Sequence, residues 1–326
     1  MSFNLIIPVA ADHPEYNTRK PYWMDIHPSG NLMLFEAISG LNLHEFDTIY
    51  ITMLKKHVEK YHYEELLIRQ FDLVGLCNKI KLVQLNSCTR NQPETVAVTI
   101  EKEKIKGAIV IKDADNQFVC NLKPGNFICT FPLDALKNVN PADKSYIDID
   151  DNSFITNIVE KKIISRWFCT GAYGFEDSLL FVDYFKKYKK LDRLYISHLI
   201  YSMLLNKIIM HPVNISDYID WGKEEDWNYF KNQYRTIFLS FDLIIQKSKV
   251  MTPVINRLFE SGKIIIIIVQ GKNRFTLQEQ KPEKILKEMG VLYHQFLGNL
   301  NLDNFSLVRS KNELFNMVNN LESYNI

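Results

Sequence analysis

Apolar and polar positions alternate in period along the first part of the chain. "FNLIIPVA" (3–10) is apolar on both faces, as a buried strand is, and "NLMLFEAISGL" (31–41) has helical spacing with Gly40 near its stop. "FDTIYITML" (46–54) predicts a second strand, followed by a helix around "KKHVEKYHYEELLIRQF" (55–71). "KIKLVQL" (79–85) is a third strand, "QPETVAVTIEKEK" (92–104) a helix and "GAIVIKD" (107–113) a fourth strand. Short strands apolar on both sides, separated by amphipathic helices, predict an α/β fold: a mostly parallel sheet covered by helices on both faces. Ligands in such sheets bind outside the carboxyl ends of the strands.

The middle changes character. "GNFICTFPL" (125–133), "SYIDIDDNSFITNIVEKK" (145–162) and "RWFCTGAYGF" (166–175) alternate and are separated by turns, which predicts an antiparallel addition that makes the sheet mixed. Helices return at 176–188 and 194–206, and the strand "IIMHPVNI" leads to "DYIDWGKEEDWNYFKNQY", a helix with acidic residues in its first turn. From about residue 235 a new βαβα pattern begins: strand "TIFLSFDLII", helix "TPVINRLFESG", strand "KIIIIIVQG", helix "PEKILKEMG". The expected organisation is a large domain over 1–232 and a small second α/β domain over 233–326.

Composition narrows the function. The 326 residues carry a formal net charge of +1, so no bulk field draws the chain to nucleic acid or to an anionic membrane. The aromatics have core-like spacing and do not interleave with arginines, which also argues against a nucleic-acid partner. The five cysteines are scattered without C-x-x-C and are read as reduced thiols of a cytoplasmic protein. The longest apolar run, Ile264 to Val269, is far shorter than the roughly 20 residues of a membrane helix.

Candidate chemistry sits at strand ends. Asp113 and Asp115 follow the fourth strand, and Asp220 ends another. Hard oxygen ligands there suit Mg²⁺, which is held by one or two carboxylates together with substrate phosphates; the alternative is solubilising loop aspartates. Thr89, Asn91 and Gln92 form a polar turn before a helix, placed either to read a base or phosphate or simply to cap the helix. Glu160 and Lys161 end a strand and either meet an anionic substrate or populate a solvated face. The histidines do not cluster, and His27 is read as structural. No G-x-S-x-G, Walker loop, H-E-x-x-H or G-x-G-x-x-G is present.

The order of "LIIPVA", "HPSGNLMLFEAISGL", "FDTIYITML", "TRNQPETV", "IVIKDADNQF", "IVEKKIIS", "TGAYGF" and "YIDWGKEEDWNYF" resembles the sugar-phosphate nucleotidyltransferase family with its GT-A-like fold, through residues 3–232. The resemblance implies a soluble enzyme that joins a nucleoside triphosphate to a phosphorylated small molecule and releases pyrophosphate. It places Mg²⁺ on Asp115 and Asp220, with Asp113 supporting. It assigns Gln92, with Thr89 and Asn91, to the base, Ala10 and Ala11 to the nucleotide loop, and Glu160, Lys161, Thr170 and Gly171 to the acceptor. CTP is the nucleotide expected first, and surface polysaccharide (capsule) synthesis the setting. The chain departs from the family pattern in its first loop: the glycine becomes Ala11, the arginine Glu15 and the lysine Tyr22. An arginine in phosphoryl transfer is worth on the order of 10³–10⁵ in rate. Arg19 and Lys20 are therefore expected to replace the lost cations; without them the chain would be a catalytically impaired nucleotide-binding or regulatory protein.

The second unit resembles a degenerate haloacid-dehalogenase-like domain. Ser240 stands where that family's nucleophilic aspartate is expected, and only Asp242 of the D-x-D pair is kept. The family's small hydroxyl residue falls at Val269 or Gln270, and its acidic pair at Arg309 and Ser310. No phosphatase activity is expected; the unit would be a structural appendage or a homodimer surface.

Overall fold

The computed structural model describes residues 2–11, 20–29, 31–136, 141–233, 236–246, 248–260, 262–270 and 282–300. The described residues form β1 (Phe3–Pro8), α1 (Met33–Ser39), β2 (Thr48–Leu54), α2 (Lys55–Tyr61), α3 (Glu64–Leu73), β3 (Ile80–Leu85), α4 (Gln92–Glu103) and β4 (Ala108–Lys112). They continue with β5 (Asn116–Val119), β6 (Phe127–Pro132), β7 (Ser145–Ile149), β8 (Ile155–Glu160), β9 (Trp167–Phe175), α5 (Ser178–Tyr188), α6 (Ile196–Leu205), β10 (His211–Asn214), β11 (Ser216–Asp220) and α7 (Glu224–Gln233). The strand order of the main sheet is β10-β6-β9-β4-β1-β2-β3, with a β7–β8 hairpin attached to β9. β4, β1, β2 and β3 run parallel, whereas β9 is antiparallel to both β4 and β6. This is the expected mixed α/β sheet with an antiparallel addition.

Burial explains the two-sided apolar strands. Ile6, Ile109, Ile111 and Ile128 pack with Val96 and Ile100 of α4, Phe181 and Phe185 of α5, and Leu199 and Met203 of α6. Residues of the opposite parity, Leu5, Ile7 and Val110, are equally buried, so both faces of the sheet are covered. The helix expected over 55–71 is two helices, because His62 adopts the left-handed region (φ 53°) as the C-cap of α2. No helix of the described residues is long and apolar enough to cross a membrane.

Two features not anticipated from the sequence shape the carboxyl edge. The stretch after the D-x-D is a strand: β5 pairs antiparallel with β11, with Asn116 opposite Asp220. β9 also carries a register shift: Ile128 pairs Tyr173, but Thr130 pairs Cys169. Bulges of this kind re-aim side chains next to sites. Within this one Gly171 takes φ +80°, and its carbonyl accepts from the Asp113 backbone N–H at 2.8 Å.

The chain divides into two compact units. One comprises Met1–Met24 and Leu32–Trp227; the other joins Asp25–Asn31 to the chain from Asn228 onward. The division thus falls inside α7, just before the expected 232/233 boundary. In the second unit His27 is buried, its ring lies 5.1 Å from that of Phe230, and its Nδ1 meets Ser29 Oγ at 2.9 Å. The unit contains β12 (Thr236–Ser240), α8 (Phe241–Gln246), α9 (Ser248–Glu260), β13 (Ile264–Gln270), α10 (Pro282–Glu288) and β14 (Gln295–Leu300). β12, β13 and β14 form a parallel three-stranded sheet in that order. The strand expected to run on through "FDLII" stops at Ser240, because Phe241 and Ile244 bury at helical spacing in α8. Positions 309 and 310 lie outside the described residues.

Gly171→Ala tests the bulge. An added Cβ would stand 2.4 Å from Asp113 Oδ2 and 2.8 Å from Asn116 Nδ2, in a backbone conformation that disfavours side chains. The variant is expected to fold with a melting temperature lowered by several degrees, on the order of 1–3 kcal/mol, and to lose ligand binding at the carboxyl edge. Calorimetry and nucleotide titration check both, and an unaltered titration would show that the bulge does not set the position of Asp113.

Candidate active site

The site begins with a lysine at the end of a buried strand. β4 is buried throughout, including Lys112. A buried ammonium needs an acceptor for each of its three donors. Lys112 Nζ finds the Asp113 carbonyl at 2.7 Å, the Asn116 carbonyl at 2.9 Å and Asn116 Oδ1 at 2.8 Å, and it lies 4.9 Å from the centre of the Phe118 ring. These bonds close the Asp113–Asn116 turn on itself. Burial pushes the Lys112 amine down to about 8, opposed by Asp113 and Asp115.

The turn aims two carboxylates at one cavity. Gln92 Nε2 donates to Asp113 Oδ1, and Asn116 Nδ2 donates to Asp115 Oδ1 at 3.2 Å. Burial, then the charge of Asp115, pushes the Asp113 carboxyl up to about 7. Burial, then the charge of Asp220, pushes Asp115 up as well. Asp220 is delivered by the β5–β11 ribbon, and the Trp221 N–H donates to the Asp115 carbonyl at 2.7 Å. A Cβ on Gly222 would stand 3.1 Å from Asp115 Oδ2 and 3.2 Å from Asp220 Oδ1, so the two carboxylates converge on the same glycine. Asp220 Oδ1 accepts from the Gly222 N–H at 2.9 Å, while Oδ2 is held by Lys144 Nζ and, at 3.3 Å, by the Tyr218 hydroxyl.

The cavity, of about 290 Å³, extends from these carboxylates to the end of β8 and the bulged middle of β9. Glu160 accepts from the hydroxyls of Ser145 and, at 2.6 Å, Ser197. Lys161 Nζ lies over the Tyr195 ring at 5.2 Å, and Lys223 pairs with Asp143. Thr170 lines the cavity, but its hydroxyl donates to the Cys129 carbonyl at 3.1 Å and is committed to the sheet.

Of the residues singled out from the sequence, Gln92, Asp113, Asp115, Glu160, Lys161, Thr170, Gly171 and Asp220 line this one cavity. Ala10, Ala11, Thr89 and Asn91 do not. Ala11 and Thr89 bridge one another on the same carboxyl edge, and Asn91 caps α4 by accepting from the Glu94 N–H at 3.0 Å. The capping alternative is therefore the one realised at Asn91. Lys20 is not brought to the cavity: it is buried, with Nζ donating to the Met24 carbonyl at 3.3 Å and 5.9 Å from the Tyr63 ring. Arg19 lies outside the described residues. The cavity cations that the sequence reading missed are Lys144 and Lys223, with Lys112 beneath. Lys112 alone left a signal, a lysine closing an otherwise apolar strand before two aspartates.

Among the described residues no group of three or more His, Cys, Asp or Glu side chains converges to hold a metal. The two hard oxygen donors at Gly222 instead fit Mg²⁺ shared with a ligand's phosphates.

No protein-family model matches the chain, and no curated protein matches it. Solved structures do. A nucleoside-diphosphate-sugar pyrophosphorylase from Vibrio cholerae RC9 superposes with a TM-score of 0.57 at 16% identity over 70% of this chain and 100% of its own. The inositol-1-phosphate CTP transferase from T. maritima gives 0.55 at 10% identity over 71% and 94%. A UDP-glucose pyrophosphorylase with bound UDP-glucose gives 0.52 at 14% identity over 71% and 98%. At such identities the likeness is one of architecture, and the chain has the mixed α/β, GT-A-like fold of nucleotidyltransferases.

Proposed function

We propose that the cavity carries out Mg²⁺-dependent nucleotidyl transfer from a nucleoside triphosphate to a phosphorylated small molecule. The observation that carries this reading is the convergence of Asp115 and Asp220 on Gly222 at the carboxyl edge of the sheet. A bound Mg²⁺ would neutralise phosphate charge and hold the triphosphate in line. An acceptor phosphate oxygen forms the new bond to the α-phosphorus, the α–β phosphoanhydride breaks, and pyrophosphate leaves. A phosphate monoester is already anionic near neutral pH, so the attack needs no general base. Among the described residues that line the cavity there is no histidine. Gln92 is positioned to orient Asp113, and Glu160, with Ser145 and Ser197, offers an acceptor-side surface of fixed hydrogen bonds. We take CTP as the first nucleotide to test and capsule precursor synthesis in the cytoplasm as the setting.

The burial of Lys20 favours a second reading, a protein that binds nucleotide without turning it over. For the other unit we propose no phosphatase activity, because Ser240 ends β12 where a phosphatase of the resembled type needs a carboxylate; a homodimer surface is the role we assign it.

Pyrophosphate release is the deciding measurement. With Mg²⁺, one of CTP, UTP, GTP, ATP or dTTP, and phosphorylated sugars and alcohols, release is expected with a single nucleotide; thermal stabilisation without release would favour the second reading. Asp115→Ala is expected to lower release by at least about 100-fold while leaving the circular dichroism spectrum unaltered. Undiminished release would remove Asp115 from the metal. Lys112→Met should leave the turn's acceptors unsatisfied, costing on the order of 3 kcal/mol, and should weaken Mn²⁺ binding measured without nucleotide. A variant as stable as the parent would show that the buried ammonium does not organise the turn.

A further inference from the structure

We propose that Lys144 is a placeholder for the divalent cation and, once displaced, the phosphate-binding cation of the reaction, taking over from the charges that the first loop lacks. The inference rests on reading the cavity as a nucleotidyl-transfer site.

Among the described residues, six carboxylates face three ammonium groups: Asp113, Asp115, Asp143, Glu160, Asp220 and Asp226 against Lys144, Lys161 and Lys223. A polyphosphate entering such a surface needs cations that can turn towards it. Lys112 cannot turn, since it is buried and bonded to three acceptors. Lys161 stands over Tyr195, and Lys223 pairs with Asp143 with both side chains 40% exposed or more. Lys144 differs: its side chain is 15% exposed and it pairs with Asp220, whose side chain is 8% exposed.

The location of that pair gives the mechanism. Lys144 Nζ rests on Asp220 Oδ2, and the other oxygen of the same carboxylate points with Asp115 Oδ2 towards Gly222. The ammonium therefore neutralises the carboxylate that the metal reading assigns to Mg²⁺. A divalent ion shared by Asp115 and Asp220 would repel a neighbouring ammonium. A lysine on a flexible four-carbon stem can leave one anion for another at little steric cost. Its base stays fixed: the Lys144 carbonyl accepts from the Lys161 N–H at 3.0 Å, and the next residue, Ser145, donates to Glu160. The hydroxyl of Tyr218 accepts from Nζ at 2.9 Å and, freed of it, still donates to Asp220 at 3.3 Å. Metal binding thus hands the ammonium to the phosphates and leaves Asp220 with its remaining donors.

Lys144→Met and Lys144→Arg test this, with Mn²⁺ binding measured by electron paramagnetic resonance and nucleotide binding by calorimetry. Lys144→Met is expected to bind Mn²⁺ roughly tenfold more tightly in the absence of nucleotide, because its competitor is gone. The same variant should bind nucleotide with metal at least tenfold more weakly and release pyrophosphate on the order of 100-fold more slowly. Lys144→Arg should restore most of the nucleotide affinity. Opposite effects on metal and nucleotide are the signature, since a merely structural lysine would weaken both. If Mn²⁺ affinity is unchanged or falls in a folded Lys144→Met, or nucleotide affinity is unchanged, the inference is overturned while the nucleotidyl-transfer reading stands. If the wild-type protein binds none of the five nucleotides with Mn²⁺, that reading fails and takes the inference with it.

Discussion

A lysine ammonium withdrawn from water has to be surrounded by acceptors, and in this fold that requirement shapes everything at the carboxyl edge. Lys112 ends the central strand β4 with no exposed surface, and its three acceptors all belong to the turn that follows it. Desolvating an ammonium costs several kcal/mol, so the turn can relax only by exposing or orphaning the charge. Holding the turn holds Asp113 and Asp115 side by side, an arrangement that their mutual repulsion and burial would otherwise resist. The cation under the aspartates is thus part of the protein itself, and any external cation is added on top of it.

Sheet topology converts that local turn into a site. β9 enters the parallel sheet in the opposite sense, and its bulge brings Gly171 against Asp113, where any side chain would collide. From the other direction, the β5–β11 ribbon sets Asp220 opposite Asn116. Asn116 joins the two systems: its Oδ1 accepts from Lys112, its Nδ2 donates to Asp115, and its backbone pairs with Asp220. The position of the second carboxylate therefore depends on the same buried lysine as the first.

How much of this could be read from the sequence depends on the range of the interactions. The parallel strands and their helices were legible because apolar periodicity is a local signal. Asp113, Asp115, Asp220, Glu160 and Lys161 could be singled out because they stand at strand ends, where such sheets bind ligands, although a solvated surface accounted for them as well; the structure brings them to one cavity. Lys144 was not, since its partner Asp220 lies 76 residues away and only the ribbon brings the two together. Ser145 and Ser197 became visible only through their shared acceptor, Glu160. Lys20, expected as a catalytic cation, is instead buried, with Nζ donating to the carbonyl of Met24, four residues on.

The cavity's two kinds of lysine divide its electrostatic work. Lys112 spends every donor on backbone and amide acceptors, so its charge is fixed and serves geometry. Lys144 rests on a carboxylate at the cavity wall, so its charge is exchangeable. A site that must bind a polyanion through acidic residues needs both, because fixed charge alone cannot follow a ligand whose charge moves from the α-phosphate to departing pyrophosphate. In the resembled family the first loop carries an arginine and a lysine. Here that loop carries Ala11 and Tyr22 in place of a glycine and a lysine, and the described part of its remaining charge, Lys20, is buried. The exchangeable charge instead enters from the start of β7, on the acceptor's side of the cavity. On the proposed nucleotidyl-transfer reading, that change of side would tie phosphate binding to the same hairpin that presents Glu160, so acceptor and triphosphate recognition would share one structural element.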